Sequence, residues 1–416
     1  MANQLLTISM ITREALRVLE NNLVFTKHVR RDFDENYGRA GAKIGTVLNI
    51  RKPPRYIGRV GQGLQIEDAT ETSVPLALNI QRGVDIAFTS QDLALSIDDF
   101  SDRFIVPAIA NVANGIDYDG LSQYINIFNI VGTPGTPPTT ADTYLSAGVD
   151  LDNMMAPRDG SRCVVISPKM QANAVSALKG LFQSAERIRE QYDSGEMGIA
   201  LGFDWFMDQN VRTATVGTQG GTPVTTAAVG QTGSSILTTG WTASTQVLNK
   251  GDVVQFTGVY AVNGQNRQTV NMENPGTLTG NLANWVVTAN VTSGSGAGAA
   301  TIPIAGPDGN GIITSGPFQN ASASPTASST VYVVGTGGTT SPQGLAFHKD
   351  AFAMGCADLP LPGGVDMASR VNDKQLGMSL RLIRAYDINT DRFPTRLDIL
   401  YGWTTLYPQL AVRIAS

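Results

Sequence analysis

The side chains that could support covalent chemistry do not form a complete catalytic motif in this sequence. Ser176 and Lys179 have the S-x-x-K spacing of the nucleophile in penicillin-recognising enzymes, but no K-T-G or S-D-N motif follows. Such a four-residue match arises easily by chance, so Lys179 is better explained as a solvated charge on a helix. The Gly pairs of GQG (61–63) and GSGAG (294–298) lack the strand, the Lys-Ser/Thr pair and the downstream acid of phosphate-binding loops, which predicts flexible turns.

Acid–base chemistry would depend on carboxylates. His28 and His348 are the only histidines, so few imidazole side chains are available for proton transfer. Asp117 with Asp119 and Asp204 with Asp208 are obvious carboxylate pairs. Short Asp spacing beside Gly is more typical of turns. We therefore predict no enzyme and no catalytic residues, and a hydrolase that uses carboxylates stays open as an alternative.

The two cysteines are predicted to be structural. Cys163 and Cys356 belong to no C-x-x-C motif, so neither a disulfide framework nor a thiolate metal site is indicated. A zinc site would need both cysteines and both histidines to converge, and no spacing predicts this. We predict two buried free thiols, no metal site and no cofactor.

Composition predicts a globular protein with a large core. The chain has 416 residues, of which 42% are hydrophobic and 16% charged, and its net charge of -5 is too small for a surface that coats nucleic acid. The first residues lack a basic region followed by an apolar core. No stretch reaches the roughly 18 apolar residues of a membrane span. We therefore expect a cytoplasmic protein with no membrane partner.

Charge is distributed unevenly near the start of the chain. Residues 1–59 contain eleven Lys or Arg against five Asp or Glu, whereas residues 61–99 contain seven acidic residues against Arg82 alone. Neighbouring segments of opposite sign favour pairing, either within the chain or between copies of it. The candidate contact residues are Arg13, Arg17, Arg51, Lys52, Arg55, Arg59, Glu67, Asp68 and Glu71.

Periodicity predicts the elements that carry these charges. Ile8, Ile11, Ala15 and Val18 form one face of an amphipathic helix that carries Arg13 and Arg17 on its other side. Short alternating runs between residues 40 and 90 flank a Pro-Pro and a Gly-rich tip, which predicts a long two-stranded excursion. Such a hairpin buries too little surface to be stable alone, so we expect it to lie on something else.

Further elements follow in alternation. A helical stripe from Asp98 to about Phe128 contains Pro107, which predicts a kink or a later start. The run CVVISPKMQANAVSALKGLF predicts a strand that feeds a helix, with Ser167 and Pro168 at its N-terminus. Another helical patch covers residues 184–192. Residues 392–414 alternate as half-buried strands, with a break at Pro408.

Residues 213–343 form a compositionally distinct segment. Their only charges are Lys250, Asp252, Arg267, Glu273 and Asp308, in a background rich in Thr, Gly, Ser, Val and Asn. Short candidate strands lie at 253–256, 285–289 and 331–334. We predict an all-β domain inserted into a loop of another domain, for which a barrel is one arrangement.

Three stretches carry a family resemblance. They are MGIALGFDWFMDQNV (197–211), LAFHKDAFAMGCADLPLP (345–362) and RAYDINTDRFPTRLDILYGWTTLYPQLAVRI (384–414). Together they resemble the major capsid (coat) proteins of tailed double-stranded DNA bacteriophages, in particular the subgroup with an inserted β-barrel domain. The likeness covers nearly the whole chain, and the low-complexity segment 213–343 contributes least to it.

The resemblance implies an α+β fold of the Hong Kong type found in tailed-phage capsids. Its parts are an N-terminal arm (1–39), an extended loop (40–90), a spine helix with the peripheral domain (91–140), an axial domain in two pieces (141–212 and 344–375), the inserted β-domain (213–343) and C-terminal strands of the peripheral domain (376–416). No Lys to Asn crosslink is indicated by these residues.

The resemblance also implies the function. Many copies would form the hexamers and pentamers of an icosahedral virion shell, assembled in the bacterial host cytoplasm around a scaffolding protein. The shell would join a portal protein, enclose double-stranded DNA by non-specific contact, and expand on maturation. A Thr/Gly-rich β-domain adhesin or carbohydrate-binding structural protein is the alternative from another class.

Overall fold

The computed structural model describes residues 19, 23–31, 47–89, 106–178, 198–226, 230–272, 282–373 and 378–416. Its α-helices are α1 (Val106–Leu121), α2 (Asp142–Asn153) and α3 (Pro168–Leu178). Its strands are β1 (Val47–Lys52), β2 (Thr72–Ala77), β3 (Ile80–Thr89), β4 (Ile130–Val131), β5 (Arg162–Ile166), β6 (Ile199–Ala200), β7 (Phe203–Met207), β8 (Thr213–Thr215), β9 (Gly221–Thr225), β10 (Ser235–Trp241), β11 (Gln246–Leu248), β12 (Val253–Phe256), β13 (Trp285–Val287), β14 (Val291–Thr292), β15 (Ala300–Ala305), β16 (Val331–Val333), β17 (Thr340–His348), β18 (Phe352–Ala357), β19 (Met367–Asp373), β20 (Met378–Arg384), β21 (Arg392–Thr405) and β22 (Ala411–Ala415). The amphipathic helix predicted around Ile8 and the helical patch at 184–192 lie outside the described residues.

The chain divides into two compact units. The first comprises residues 1–50, 73–120 and 353–404, and the second comprises residues 51–72, 121–352 and 405–416. The first unit contains an antiparallel sheet in the order β18-β21-β20-β19, to which β3 is added along β21. β3 and β21 pair over ten residues, from Ile80 opposite Tyr401 to Thr89 opposite Arg392.

Two carboxylates of α1 hold the first unit together. The side chain of Asp117 accepts hydrogen bonds from the backbone nitrogens of Val24 (2.6 Å) and Thr26 (2.9 Å), so it fixes the segment before the 3-10 turn Thr26–His28. Asp119 accepts from Arg82 of β3 (2.7 Å) and from the Tyr401 hydroxyl of β21 (2.6 Å). We associated this Asp pair with a turn, which was wrong, because both residues lie on a helix and tie it to other elements.

The spine helix ends earlier than its apolar stripe predicted. Pro107 lies in the first described turn of α1, and the residues before Val106 lie outside the described part of the chain. The helix ends at Leu121, and the chain continues as the 3-10 turn Ser122–Asn126 instead of reaching Phe128. Within this turn the Asn126 amide donates to the Gln123 side chain (3.0 Å).

The second unit is built on a mixed sheet in the order β4-β22-β17-β5-β7-β6. The strand and helix predicted from CVVISPKMQANAVSALKGLF are confirmed as β5 and α3, and the Ser167 hydroxyl accepts from the Met170 nitrogen at the start of α3 (3.4 Å). α2 packs its buried face, which includes Tyr144 and Leu151, against the sheet core around Val164, Ile414 and their neighbours.

The two C-terminal strands belong to different sheets. β21 lies in the sheet of the first unit, whereas β22 pairs antiparallel with β17 and parallel with β4 in the second. The predicted boundaries assign residues 344–375 to the axial domain and 376–416 to the peripheral domain. In the structure β18 and β19 share a sheet with β20 and β21, and β22 lies in the sheet of the second unit. The 3-10 turn Pro408–Leu410 separates the two strands, because Pro cannot continue the hydrogen-bond ladder of a strand.

Residues 213–343 form a closed β-barrel on a two-stranded stem. β8 pairs antiparallel with the first residues of β17, so the chain enters and leaves the insertion at one place. Six strands follow in the antiparallel order β16-β12-β13-β15-β10-β9. A bridge between Val224 and Thr330 joins the two edge strands and closes the sheet. The described part of the insertion is a barrel, and its strands Val253–Phe256, Trp285–Val287 and Val331–Val333 fall within the candidate strands at 253–256, 285–289 and 331–334.

The barrel has a core of its own. The core contains the fully buried Phe256 and Trp285 along with other residues of the insertion, and Phe128 and Met154 are the members that come from outside residues 213–343. Both cysteines are buried and unbridged, as predicted. Within the described ranges, no helix is both long and apolar enough to cross a membrane.

The fragment 213–343 is expected to fold by itself with reduced stability. Its strands and most of its core are internal, but the fragment lacks Phe128 and Met154. Amide hydrogen exchange should show protection at Val254 and Val286 in the paired strands β12 and β13. The Trp285→Ala fragment is the control, and it should lose about 3–5 kcal/mol and most protection. A fragment without any protected core would show that the insertion depends on the rest of the chain.

Candidate assembly surface

The segment between β1 and β2 is an exposed extended loop. Residues 53–71 contain no helix or strand, since Pro53 and Pro54 remove two N–H donors directly after β1 and end its pairing. Gly58 and Gly61 have φ angles of 76° and 101°, which glycine adopts without strain. We call residues 56–66 the loop tip. It carries five exposed apolar side chains, namely Tyr56, Ile57, Val60, Leu64 and Ile66.

Glu67 ties the two arms of the loop together. Its carboxylate accepts hydrogen bonds from the backbone nitrogens of Ile57 (2.6 Å) and Gly58 (2.7 Å), across about ten residues of chain. Arg59 donates to the carbonyl oxygen of Gly61 within the tip. The loop tip is therefore held by internal hydrogen bonds although its apolar side chains face outward.

The base of the loop is fixed on the inserted barrel. The Lys52 ammonium lies 3.7 Å from one carboxylate oxygen of Asp308, and the Arg55 guanidinium lies 2.6 Å from the other. Lys52 and Asp308 are almost fully buried. Burial lowers the pKa of Lys52 below its usual value, and the negative charge of Asp308 opposes that shift.

Aromatic rings and a backbone contact complete the base. The Lys52 ammonium lies 4.8 Å from the centre of the Tyr407 ring, and the Arg55 guanidinium lies 5.6 Å from that of Phe318. Both distances allow cation–π attraction. Arg267 of the barrel donates to the carbonyl oxygen of Tyr56 (3.2 Å). The base of the loop is thus held by charge, rings and backbone together.

The structure divides the predicted contact residues into three sets. Arg13 and Arg17 lie outside the described residues. Lys52 and Arg55 are bound to Asp308 of the same chain. Five lie in or beside the exposed loop, namely Arg51, Arg59, Glu67, Asp68 and Glu71. Arg51 and Glu71 face each other at 3.8 Å but are largely exposed, and such a pair contributes only about 0–1 kcal/mol.

Sequence reasoning did not identify Asp308 or the apolar residues of the tip. Asp308 is one of five charges in 131 residues, and Pro307 and Gly309 flank it, so a turn was the natural interpretation. The available signal for a functional role of Asp308 was that it is a charge in an otherwise almost uncharged segment. The prediction was based on the charged residues of this segment and did not consider the apolar residues between them, Tyr56, Val60 and Leu64.

A cleft of about 400 Å³ lies beside α2, and three of its four charged side chains pair with one another. Asp152 binds Arg162 (2.8 Å) and also Arg158, and the hydrogen bond from Arg158 contributes most to lowering the pKa of Asp152. A carboxylate with a lowered pKa is a poor general base near neutral pH. Among the described residues, no group of three His, Cys, Asp or Glu side chains is placed to hold a metal ion.

Comparison with known protein families gives a match over almost the whole chain. The family model of the P22 coat protein (gene protein 5) matches residues 1–414. No curated protein matches the chain. Among solved structures, the chain is similar to one from Mycobacterium phage Che8, with 13% identity, 94% of this chain and 90% of that chain covered and a TM-score of 0.45.

Two further structures are similar at the same low level of identity. The bacteriophage PhiM1 mature capsid shares 11% identity over 93% of this chain and 87% of that chain, with a TM-score of 0.39. The virus-like particle from Pyrococcus furiosus shares 8% identity over 98% of both chains, with a TM-score of 0.37.

The described elements follow the order implied by the Hong Kong-type capsid fold. An extended loop (53–71) precedes a long helix (α1), which precedes a mixed sheet interrupted by a β-barrel. The predicted α+β fold class is confirmed. Because the family model spans residues 1–414, the chain belongs to the P22 coat protein family and is a major capsid protein of a phage shell.

Proposed function

We propose that the loop tip is the surface through which one coat subunit holds the next in an icosahedral shell. The observation that carries this proposal is the exposure of Val60 (102%), Leu64 (82%) and Ile66 (84%) on a loop that is otherwise held in place. Exposed apolar clusters of this kind mark interaction sites, because water is unfavourable around them. In a shell of identical subunits, the surface that covers the tip belongs to a second copy.

The charged residues of the loop would assist this contact. Arg51, Arg59, Asp68 and Glu71 are exposed, and each weak contact would be repeated at every copy of the subunit. Opposite charges on facing subunits would select the correct orientation more than they would add affinity. Lys52 and Arg55, which bind Asp308, would instead support the loop from within the subunit.

The rest of the chain would take the roles that the family resemblance implies. Residues 1–39 would form an arm whose Arg13 and Arg17 contact a scaffolding protein or a neighbouring subunit. Residues 91–120 and 353–404, which belong to the first unit, would form the peripheral domain, and residues 141–212 with 344–352 would form the axial domain around the centre of each hexamer and pentamer. The last strand, β22, would belong with the axial pieces, because it pairs with β17.

Assembly would take place in the bacterial host cytoplasm, around the scaffolding protein and a portal protein. Double-stranded DNA would then enter and contact the inner surface without sequence specificity. The shell would expand as the DNA is packaged. Expansion of this kind is a rearrangement of packed interfaces between discrete states, with no bond made or broken. The protein would therefore act without catalysis.

Electron microscopy of the purified protein tests this function. At assembly concentrations, alone and with its scaffolding protein, the chain should form closed shells of uniform diameter. Light scattering should show that shell formation rises steeply with protein concentration. A protein that stays monomeric under all these conditions and binds immobilised glycans would instead favour the adhesin alternative.

A further inference from the structure

Asp308 of the barrel joins two segments that are distant in sequence. Its Oδ2 atom lies 2.6 Å from Arg55 and its Oδ1 atom lies 3.7 Å from Lys52, both at the loop base. Oδ1 also accepts from the Gln409 amide (2.8 Å), whose own oxygen accepts from the Asp308 nitrogen (3.0 Å). One buried carboxylate thus receives donors from the loop base and from the turn Pro408–Leu410.

The backbone of Asp308 restricts which residue can do this. Its φ angle is 59°, in the left-handed region, and Gly309 follows with a φ of 76°. Among residues with a side chain, Asn and Asp adopt this conformation most readily. A short side chain on such a turn has little freedom, so the carboxylate defines one position for its partners.

Contacts run without a gap from the barrel to the loop tip. Asp308 holds Lys52 and Arg55, and Arg267 of the barrel holds the carbonyl oxygen of Tyr56. The next residue, Ile57, is bound through its nitrogen to Glu67 on the other arm of the loop. The placement of the tip therefore depends on the barrel through successive polar contacts.

We propose that Asp308 is a positioning residue through which the inserted barrel sets where the loop tip is presented to the next subunit. The proposal rests on the proposed function of the tip as a contact between copies. It gives the insertion a role in assembly in addition to any role in folding. The chemical basis is one desolvated carboxylate that neutralises two cations at the loop base.

The test is Asp308→Asn in the full chain, because Asn tolerates the left-handed backbone while removing the charge. We expect the Ile57 and Gly58 amides to exchange at least tenfold faster than in the wild type. The barrel amides Val254 and Val286 should be unchanged. Shell yield by light scattering and electron microscopy should fall by at least half under conditions in which the wild type assembles completely.

Two further variants separate positioning from general damage. Asp366→Asn makes the same chemical change at the ion pair with Arg384 (2.8 Å) and should leave loop exchange and shell yield unchanged. Lys52→Met combined with Asp308→Asn removes the buried ammonium that has lost its counter-ion, so it should recover part of the loop protection. Recovery by removing a second charged group is not expected if the Asp308→Asn substitution merely disturbs the barrel.

Three outcomes are decisive. Wild-type loop exchange and shell yield in Asp308→Asn would overturn the proposal. Equal loss of protection in the barrel and in the loop would also overturn it, because Asp308 would then be a general stabilising residue. If the wild type forms no shells at all, the proposed function of the tip fails. The exchange measurement remains informative in that case: faster exchange of the loop amides in Asp308→Asn would show that the carboxylate holds the loop, and unchanged exchange would show that it does not.

Discussion

A chain that ends after Leu410 is expected to lose the fold of the second unit. β22 lies between β4 and β17 in the sheet, and all of its residues are buried. Its removal takes Val412 and Ile414 out of the core, at about 1.5–3 kcal/mol each, and leaves backbone groups of two strands without partners at about 1–3 kcal/mol each. The sum reaches the 5–15 kcal/mol, roughly, that stabilises a whole domain.

Circular dichroism and urea unfolding of the purified chains test this expectation. The truncated chain should show no cooperative transition for the second unit. Ile414→Ala is a milder form and should lower the free energy of unfolding by about 2–5 kcal/mol. Ile388→Ala is its matched control, because Ile388 is 81% exposed, and it should change stability by less than about 0.5 kcal/mol. A truncated chain with the wild-type unfolding midpoint would contradict the central role of β22.

The same strand shows what periodicity can predict. The alternation of Leu410, Val412 and Ile414 predicted a strand, and Arg413 between them suggested a polar face. Instead Arg413 is fully buried, and its Nη1 atom donates to the carbonyl oxygen of Gly251 in the insertion (2.7 Å). Burial lowers the pKa of Arg413 to about 10. Local pattern predicted the strand, but only tertiary structure shows that the insertion covers its second face.

Elements with strong local signals were predicted well. β5 and α3 follow from a β-branched run and a Ser-Pro start, and β12 coincides with its predicted range, because short-range preferences decide such segments. The closure of the barrel through Val224 and Thr330 has no local signal, since it depends on pairing across about a hundred residues.

The candidate site was predicted only in part, because its local features have a sequence signal and its contacts between distant segments do not. The loop and its charges could be found from composition and from Pro53 and Pro54. The partner of Lys52 and Arg55 could not, because Asp308 is about 250 residues away and no pattern in either segment points to the other. A buried ion pair between distant segments is a product of the fold, and no sequence window contains both members.

Replacing Val60, Leu64 and Ile66 together with Ser is expected to weaken shells far more than it weakens the monomer. These side chains are 102%, 82% and 84% exposed, so polar replacements should change the free energy of monomer unfolding by less than about 0.5 kcal/mol each. If a second subunit buries them, each replacement removes about 1.5–3 kcal/mol per contact. The loss is repeated around the shell, where multivalency enlarges its effect.

Charge gives an independent test of the same surface. Arg59 is exposed and contacts only its own loop among the hydrogen bonds and ion pairs described here, whereas Arg55 binds Asp308, so Arg59→Glu tests the interface without breaking the loop base. We expect a smaller loss of shell stability than for the apolar triple variant, since exposed charge pairs contribute about 0–1 kcal/mol each. Moderate salt should reproduce part of the defect by screening.

Light scattering of shells across urea and salt, beside unfolding of the monomer, separates the two effects. Leu237→Ser is the control, because Leu237 is a half-exposed apolar residue on the barrel, and it should leave shell dissociation unchanged. The apolar triple variant should dissociate at a much lower urea concentration while its monomer unfolds as the wild type does. Equal dissociation midpoints for triple-variant and wild-type shells would show that the loop tip faces solvent in the shell, because covering three apolar side chains must leave a measurable difference when they are removed.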